Sequence, residues 1–314
     1  MLTKLLKQMK RFLKQFNKLS IWFRLSIIVL VILVSCVIAN KYSPRIENFT
    51  QEKKFVMKQG PAIYDKFYAN IYDDLVHDKI KNEYEVKEII HLTNPTKQSL
   101  ILDIGCGTGK HVAEFNKKGF NAVGLDLSPS MINKCKKSNP NLKFKQGNAL
   151  EFMLYPANSF SHITCLYFTL YYIKDKKQFL NNCYDWLRPG GYLTVHLVDR
   201  DKFDPILNSA DPLQMVSAQR YAKKRITNSL VKFKDFRYRG DFKLDKENNK
   251  ATFEEVFKDD KTKHIRQNIH KMEMPTRKYI ISLTKECGFI VEGKVDMVPV
   301  QYEYQYLYIF KKPR

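Results

Sequence analysis

Eight consecutive residues carry the sharpest chemical signal in the chain. Leu102-Asp103-Ile104-Gly105-Cys106-Gly107-Thr108-Gly109 places glycines at alternate positions behind a buried-looking acid. Glycine lets a backbone turn tightly and come close to a ligand. A helix opening directly after such a turn offers free N–H groups and a partial positive charge to a carboxylate. About twenty residues on, Ala122-Val123-Gly124-Leu125-Asp126 ends a second apolar run in an acid. An acid at that place can take both hydroxyls of a ribose. Taken without the glycines, Asp126 reads only as a cap for the helix after Ser128-Pro129.

Other side chains offer proton chemistry without deciding it. His196 follows the core of a strand-like run. His264 and His270 lie at even spacing on one proposed strand, with Arg266 and Asn268 between them. That polar face reads either as a substrate wall or, the reading favoured by a half-exposed antiparallel strand, as a solvated surface. Tyr171 and Tyr172 are candidates for pocket lining. Tyr64, Tyr68 and Tyr72 share one helical face, which more often serves core packing than a cofactor lid. The six cysteines form no C-x-x-C pair and no zinc-ligand spacing with histidine, so the sequence predicts no metal site. Cys165 after Thr164 sits in the wrong strand context for a nucleophile.

Five motifs in order give these residues a family context. Asp103–Gly109 is followed by Gly124-Leu125-Asp126-Leu127-Ser128-Pro129-Ser130-Met131, by Phe144-Lys145-Gln146-Gly147-Asn148-Ala149, by Ser159–Cys165 and by Leu187-Arg188-Pro189-Gly190-Gly191-Tyr192. Over about residues 62–200 the chain resembles the class I S-adenosylmethionine-dependent methyltransferases, especially their small-molecule type with an inserted antiparallel sheet. The last hundred residues match only in general shape. The resemblance implies that S-adenosylmethionine is the cofactor. It implies Gly105, Cys106 and Gly107 along the methionine moiety and Asp103 beneath its amino group. Asp126 would bind the ribose, Leu127 would cover the adenine, Asn148 and Ala149 would meet its edge, and Cys165 would present backbone at the end of the fourth strand. Tyr64 resembles a tyrosine that closes over the cofactor. Asn148 departs from the aspartate common at its place, though an amide both donates and accepts.

The elements that must hold these residues alternate from about residue 98. Strands are expected at 100–104, 122–127, 142–146, 162–167 and 192–198, with helices at 110–118, 129–138 and 175–187. The predicted fold is α/β: a Rossmann-like, doubly wound, mostly parallel seven-stranded sheet with an inserted small antiparallel sheet, preceded by a transmembrane helix. The methyltransferase domain is expected over 61–314 with the insertion at about 204–275, a helical stretch at 61–92, and a closing helix near 276–287 with strands at 289–297 and 303–311.

Upstream, residues 1–20 form a basic amphipathic segment suited to an anionic membrane surface. Residues 21–39 approach the ~20 apolar residues a bilayer needs, with Arg24 placed to snorkel and Trp22 at the headgroups. They predict a single-pass membrane anchor, followed by a linker at 40–60. The net charge of +22 points either to an anionic neighbour or to a coding bias toward lysine. The sequence shows no recognised nucleic-acid motif and no Asn-Pro-Pro-aromatic run after the fourth strand. Methyl transfer to a small-molecule or lipid-like acceptor at a membrane is the first expectation. Transfer to RNA or protein, and an inactive tethered scaffold, are the alternatives. Nucleic acid as a partner is not favoured, and the oligomeric state is not readable.

Overall fold

The structure is a computed structural model that describes residues 20–42, 53–205, 224–233 and 235–314. The chain divides into two compact units, Met1–Ile46 and Glu47–Arg314.

In the first unit a helix, α1, runs over Ile21–Tyr42. Among the described residues no helix is long and apolar enough to cross a membrane. The transmembrane helix, the single-pass membrane location and the membrane partner expected from residues 21–39 therefore do not stand. The reason is length: Arg24 interrupts the apolar run at one end and Asn40-Lys41 at the other. The 25–39 stretch between them rises only about 22 Å at 1.5 Å per residue, against a hydrocarbon core of about 30 Å. The amphipathic segment at 1–20 lies outside the described residues except for Ser20.

The second unit is built on a seven-stranded sheet. Its strands are β2 (Leu100–Ile104), β3 (Asn121–Asp126), β4 (Lys143–Gln146), β5 (Phe160–Cys165), β6 (Leu187–Val198), β11 (Ile290–Asp296) and β12 (Gln305–Lys311), in the order β11-β12-β6-β5-β2-β3-β4. The pairings β4-β3-β2-β5-β6 are parallel, and β12 and β11 join antiparallel. The central parallel strands β2 and β5 are covered on both faces, so their residues are buried without alternation, as in Leu100–Ile104. Two apolar clusters result. One holds Leu102, Leu125, Ile163, Phe179, Trp186 and Leu193, the other Ile101, Val112, Phe115, Ile132 and Leu307. The order reverses at β2 and β5, and the crevice outside the carboxyl ends of such strands is where open α/β sheets bind ligands.

The expected insertion is a second sheet of five strands, β1 (Phe55–Gln59), β7 (Asn228–Lys232), β8 (Phe236–Asp245), β9 (Lys250–Asp259) and β10 (Ile265–Glu273), in the order β1-β10-β9-β8-β7. Strands β7 to β10 are antiparallel, while β1 adds to β10 in parallel. Within the stretch read as a linker, Phe55–Gln59 is thus an edge strand. The helical stretch read at 61–92 is a 3-10 turn, Gly60–Ile63, followed by two helices, α2 (Lys66–Val76) and α3 (Lys79–Thr93). Asp65 and Asp78 cap them, each accepting from a backbone N–H three residues on. Insertion residues 206–223 lie outside the described residues.

Candidate functional site

The glycine turn follows β2 without a break. Gly105, Gly107 and Gly109 have φ of +70°, +55° and +82°. At Gly105 a Cβ would lie 2.4 Å from the Thr169 methyl, so position 105 needs glycine for both conformation and space. The amides of Gly105 and Cys106 donate to the Leu125 carbonyl, tying the turn to β3. The Gly107 amide donates to Oδ2 of Asp126 at 2.9 Å, and the Ser128 amide donates to Oδ1 at 2.8 Å. Burial nevertheless lifts the Asp126 carboxyl to about 6, with these two amides pulling the other way. A carboxylate held this way has unspent acceptor capacity aimed into the cavity.

That cavity measures about 750 Å³, inside the ~300–1,000 Å³ range of small-molecule sites. One end is lined by Gly105, Gly107, Asp126, Leu127, Asn148 and Ala149. Leu127 is half exposed on its wall, as an apolar platform for a flat ring would be. Asn148 uses Oδ1 to accept from the Leu150 amide at 3.0 Å, which leaves Nδ2 as a donor toward a ligand. Tyr64 also lines the cavity, from the turn before α2 rather than from within a helix. Ser128 Oγ donates to its carbonyl.

Three expected residues lie behind this wall. Asp103 is buried at 2 % exposure and accepts from Thr164 Oγ1 at 2.7 Å, beneath the turn. Cys106 is buried with its sulfur against the Gly124 backbone. Cys165 is fully buried, and burial pushes its thiol far above the range in which a thiolate forms.

Tyr72 stands over Gly107, and the other end of the cavity is aromatic, with Tyr68, Tyr172, Phe242 and Phe253 among its walls. Here the polar residues of β10 face inward. Arg266, Asn268 and His270 are buried, against the solvated face favoured from sequence. The alternation is inverted because this side of the second sheet packs on the turn before α2 and on the helix Thr169–Tyr172, while Ile265 and Ile269 face outward. His270 bridges two partners. Its Nδ1 is 2.8 Å from Tyr172 Oη and its Nε2 is 2.8 Å from Glu255 Oε2. Asn268 Nδ2 and Tyr238 Oη donate to the same carboxylate at 3.1 Å each. Burial opposes ionisation of Glu255, yet His270, Asn268 and Tyr68 hold its carboxyl below the ordinary value.

The remaining histidines are not brought to the cavity. His264 lies in the turn ahead of β10 and does not line it. His196 is fully buried in β6 behind Tyr167 and Phe168, and burial lowers its pKa to about 3, so it stays neutral. Glu255 was missed from sequence. Its signal was available: Ala251, Phe253, Glu255 and Phe257 share one face of β9 at period two, so a lone carboxylate interrupts an otherwise apolar stripe.

Residues 101–191 match the family described as "Methyltransferase domain". The chain carries a methyltransferase domain of the class I, S-adenosylmethionine-dependent type. Its glycine turn, Asp126 and Leu127 all fall in the matched stretch. The domain is 27% identical over 136 residues to the dTDP-3-amino-3,4,6-trideoxy-alpha-D-glucopyranose N,N-dimethyltransferase of Streptomyces venezuelae, covering 42% of this chain and 54% of that one. It is 30% identical over 142 residues to the dTDP-4-amino-2,3,4,6-tetradeoxy-D-glucose N,N-dimethyltransferase of Saccharopolyspora spinosa, covering 43% and 55%. The chain thus spans about half the length of the curated relatives it matches. In fold it is similar to an S-adenosylmethionine-dependent methyltransferase from Clostridium acetobutylicum, with TM-score 0.61 and 17% identity over 79% of this chain and 98% of that one.

Proposed function

We propose that this methyltransferase domain moves a methyl group from S-adenosylmethionine to a small-molecule nucleophile. One observation carries the reading: a single cavity is lined at one end by Gly105, Gly107, Asp126 and Asn148 and at the other by Tyr68, Tyr172, Glu255 and His270. A cofactor and an acceptor can therefore meet inside it. Gly105 and Gly107 would take the amino-acid tail, with Asp103 beneath, Asp126 the ribose, Leu127 the adenine face, and Asn148 and Ala149 its edge. When bound, S-adenosylmethionine supplies an activated methyl group, so the protein's task is alignment and exclusion of water. Pro61 and Tyr64, on the segment between β1 and α2, wall the cavity and limit the acceptor to a compact molecule. The relatives named above are N,N-dimethyltransferases of dTDP-linked amino sugars, which supports a small-molecule acceptor and does not support a lipid at a membrane.

Calorimetry with S-adenosylmethionine and S-adenosylhomocysteine tests the cofactor end, and heat lost in Asp126→Ala is the expected result. Incubation with methyl-labelled cofactor and fractionated extract tests the other end. Label is expected in the small-molecule fraction, and label confined to RNA or protein would overturn the acceptor class.

A further inference from the structure

We propose that Tyr172, His270 and Glu255 form a proton relay serving an amine acceptor, and that the tyrosine-walled end of the cavity selects such an amine as its ammonium ion. The inference rests on the methyl-transfer reading above and adds to it the acceptor's chemistry and the destination of its proton.

The carboxylate fixes the relay's direction. Glu255 is fully buried, and its only ion-pair partner among the described residues is His270. Asn268 and Tyr238 bring it neutral donors. The guanidinium of Arg266, nearby on the same face of β10, is directed to Asp65, to the Ile63 carbonyl and to Asn268 Oδ1. A carboxylate can only accept, so His270 must carry its proton on Nε2. Nδ1 is then an acceptor, and Tyr172 donates its hydroxyl proton to it. The phenol oxygen of Tyr172 accepts from the Tyr64 hydroxyl and keeps its second lone pair for a donor in the cavity.

The walls suit a cation. Ring centroids of Tyr64, Tyr68, Tyr172 and Phe253 lie 6.1, 6.0, 5.9 and 5.8 Å from the imidazole of His270. Aromatic faces stabilise ammonium ions, most strongly out of water. Glu255 adds negative potential behind them. An alcohol would gain neither effect.

An ammonium ion has no lone pair with which to attack a methyl group. In the proposed step its N–H proton passes to Tyr172 Oη as the tyrosine's own proton passes to His270 Nδ1. The imidazolium that results is paired with the Glu255 carboxylate. The free amine then forms its N–C bond as the S–C bond of the named co-substrate breaks, leaving a neutral thioether and a methylated ammonium. The ionisable groups facing His270 are Tyr64, Tyr68 and Tyr172, with Glu255 and, across it, Tyr238. Burial raises all four phenols, so they stay protonated at neutral pH.

The test uses the full chain, with benzylamine and benzyl alcohol as probes. On protein saturated with S-adenosylhomocysteine, calorimetry should show the amine binding at least about tenfold tighter than the alcohol, with the preference lost in Glu255→Gln. With labelled cofactor, His270→Gln and Tyr172→Phe should methylate benzylamine about 100-fold more slowly than wild type near pH 7. The deficit should shrink to a few-fold near pH 10, where the free base no longer needs a proton acceptor. A purely structural loss would not be rescued by pH. Equal binding of the two probes, binding of neither, or a deficit independent of pH would overturn the relay. Absence of heat with S-adenosylhomocysteine itself would instead bring down the methyl-transfer reading beneath it.

Discussion

The backbone amide of Gly107 donates to the Asp126 carboxylate across 2.9 Å, joining the glycine turn after β2 to the acid that ends β3. Two motifs nineteen residues apart are therefore joined as one unit, so in the proposed function disturbing either should disturb the ligand's tail and sugar together. In the proposed function, replacing Asp126 by alanine removes the acceptor for two ribose hydroxyls. Hydrogen bonds to a charged group contribute about 1.5–3 kcal/mol each, so cofactor affinity should fall at least about 100-fold.

The same carboxyl gives cofactor binding a pH dependence. Burial raises Asp126 to about 6, so in the free protein it begins to protonate as pH falls through that value. A protonated carboxyl accepts poorly, and a ligand that prefers the charged form binds less well there. Calorimetric Kd for S-adenosylhomocysteine should be constant above about pH 7 and rise as pH drops below about 6. For stability the sign is opposite. A folded pKa above the unfolded one favours the fold at low pH and costs it above about 6.

Gly105 and Gly119 form a controlled pair. Both have positive φ, +70° and +87°, but a Cβ meets Thr169 at 2.4 Å at Gly105 and nothing within 4 Å at Gly119. Gly119→Ala should cost about 1–2 kcal/mol from left-handed backbone alone. Gly105→Ala should cost about 1–3 kcal/mol more through overpacking, and should weaken cofactor binding as well. Thermal unfolding of both variants, with and without S-adenosylhomocysteine, separates the two contributions.

The parallel core was open to a reading from sequence because its central strands are mostly apolar runs ending in the glycine turn and in Asp126. Leu100–Ile104 is the strand expected, and Asn121–Asp126 differs by one residue at each end. The second sheet was readable only in outline. On β10 the polar set, Arg266, Asn268 and His270, turns inward because Asp65, the Ile63 carbonyl, Glu255 and Tyr172 meet it there, so alternation gave the right period and the wrong face. Strand β1 was hidden because it pairs with β10, about 210 residues away, and five residues carry little local pattern. The apolar stretch in α1 misled through length, since Arg24 and Asn40-Lys41 leave too little between them for a bilayer. Glu255 had no motif. Its meaning comes from His270 and Tyr172, which the chain brings to it from two other elements.

Acid should unfold the second unit through its buried histidines. Burial lowers His196 to about 3 and His162 to about 4, from 6.5. Both pKa values are depressed in the fold, so their contribution is complete above about pH 6.5 and is lost as pH falls toward 4 and then 3. His196→Leu keeps the apolar packing of β6 and removes one buried base. Its acid unfolding midpoint should move to lower pH, with about one proton less taken up between pH 6 and 4. An unchanged midpoint in a circular-dichroism titration would show that His196 does not control acid stability.

Arg266 fastens the wall of the cavity. Its guanidinium makes two bonds to the Asp65 carboxylate, at 3.1 and 2.9 Å, and one to the Ile63 carbonyl at 2.9 Å, and it lies 4.7 Å over the ring of Phe67. It is 4 % exposed and reaches from β10 to the turn that carries Tyr64, so one side chain locks the second sheet to the segment closing the site. Lysine keeps the charge but cannot form the fork or stack on Phe67. Arg266→Lys should therefore destabilise the fold by about 1–3 kcal/mol, less than the 3–5 of a fully buried pair because Asp65 is partly exposed. The loss should be local. Amide exchange should accelerate in residues 55–65 and hardly change in Leu100–Ile104, and the acceptor KM should rise more than the cofactor Kd. Uniform acceleration across both sheets would mean that Arg266 stabilises the domain as a whole rather than holding the wall in place.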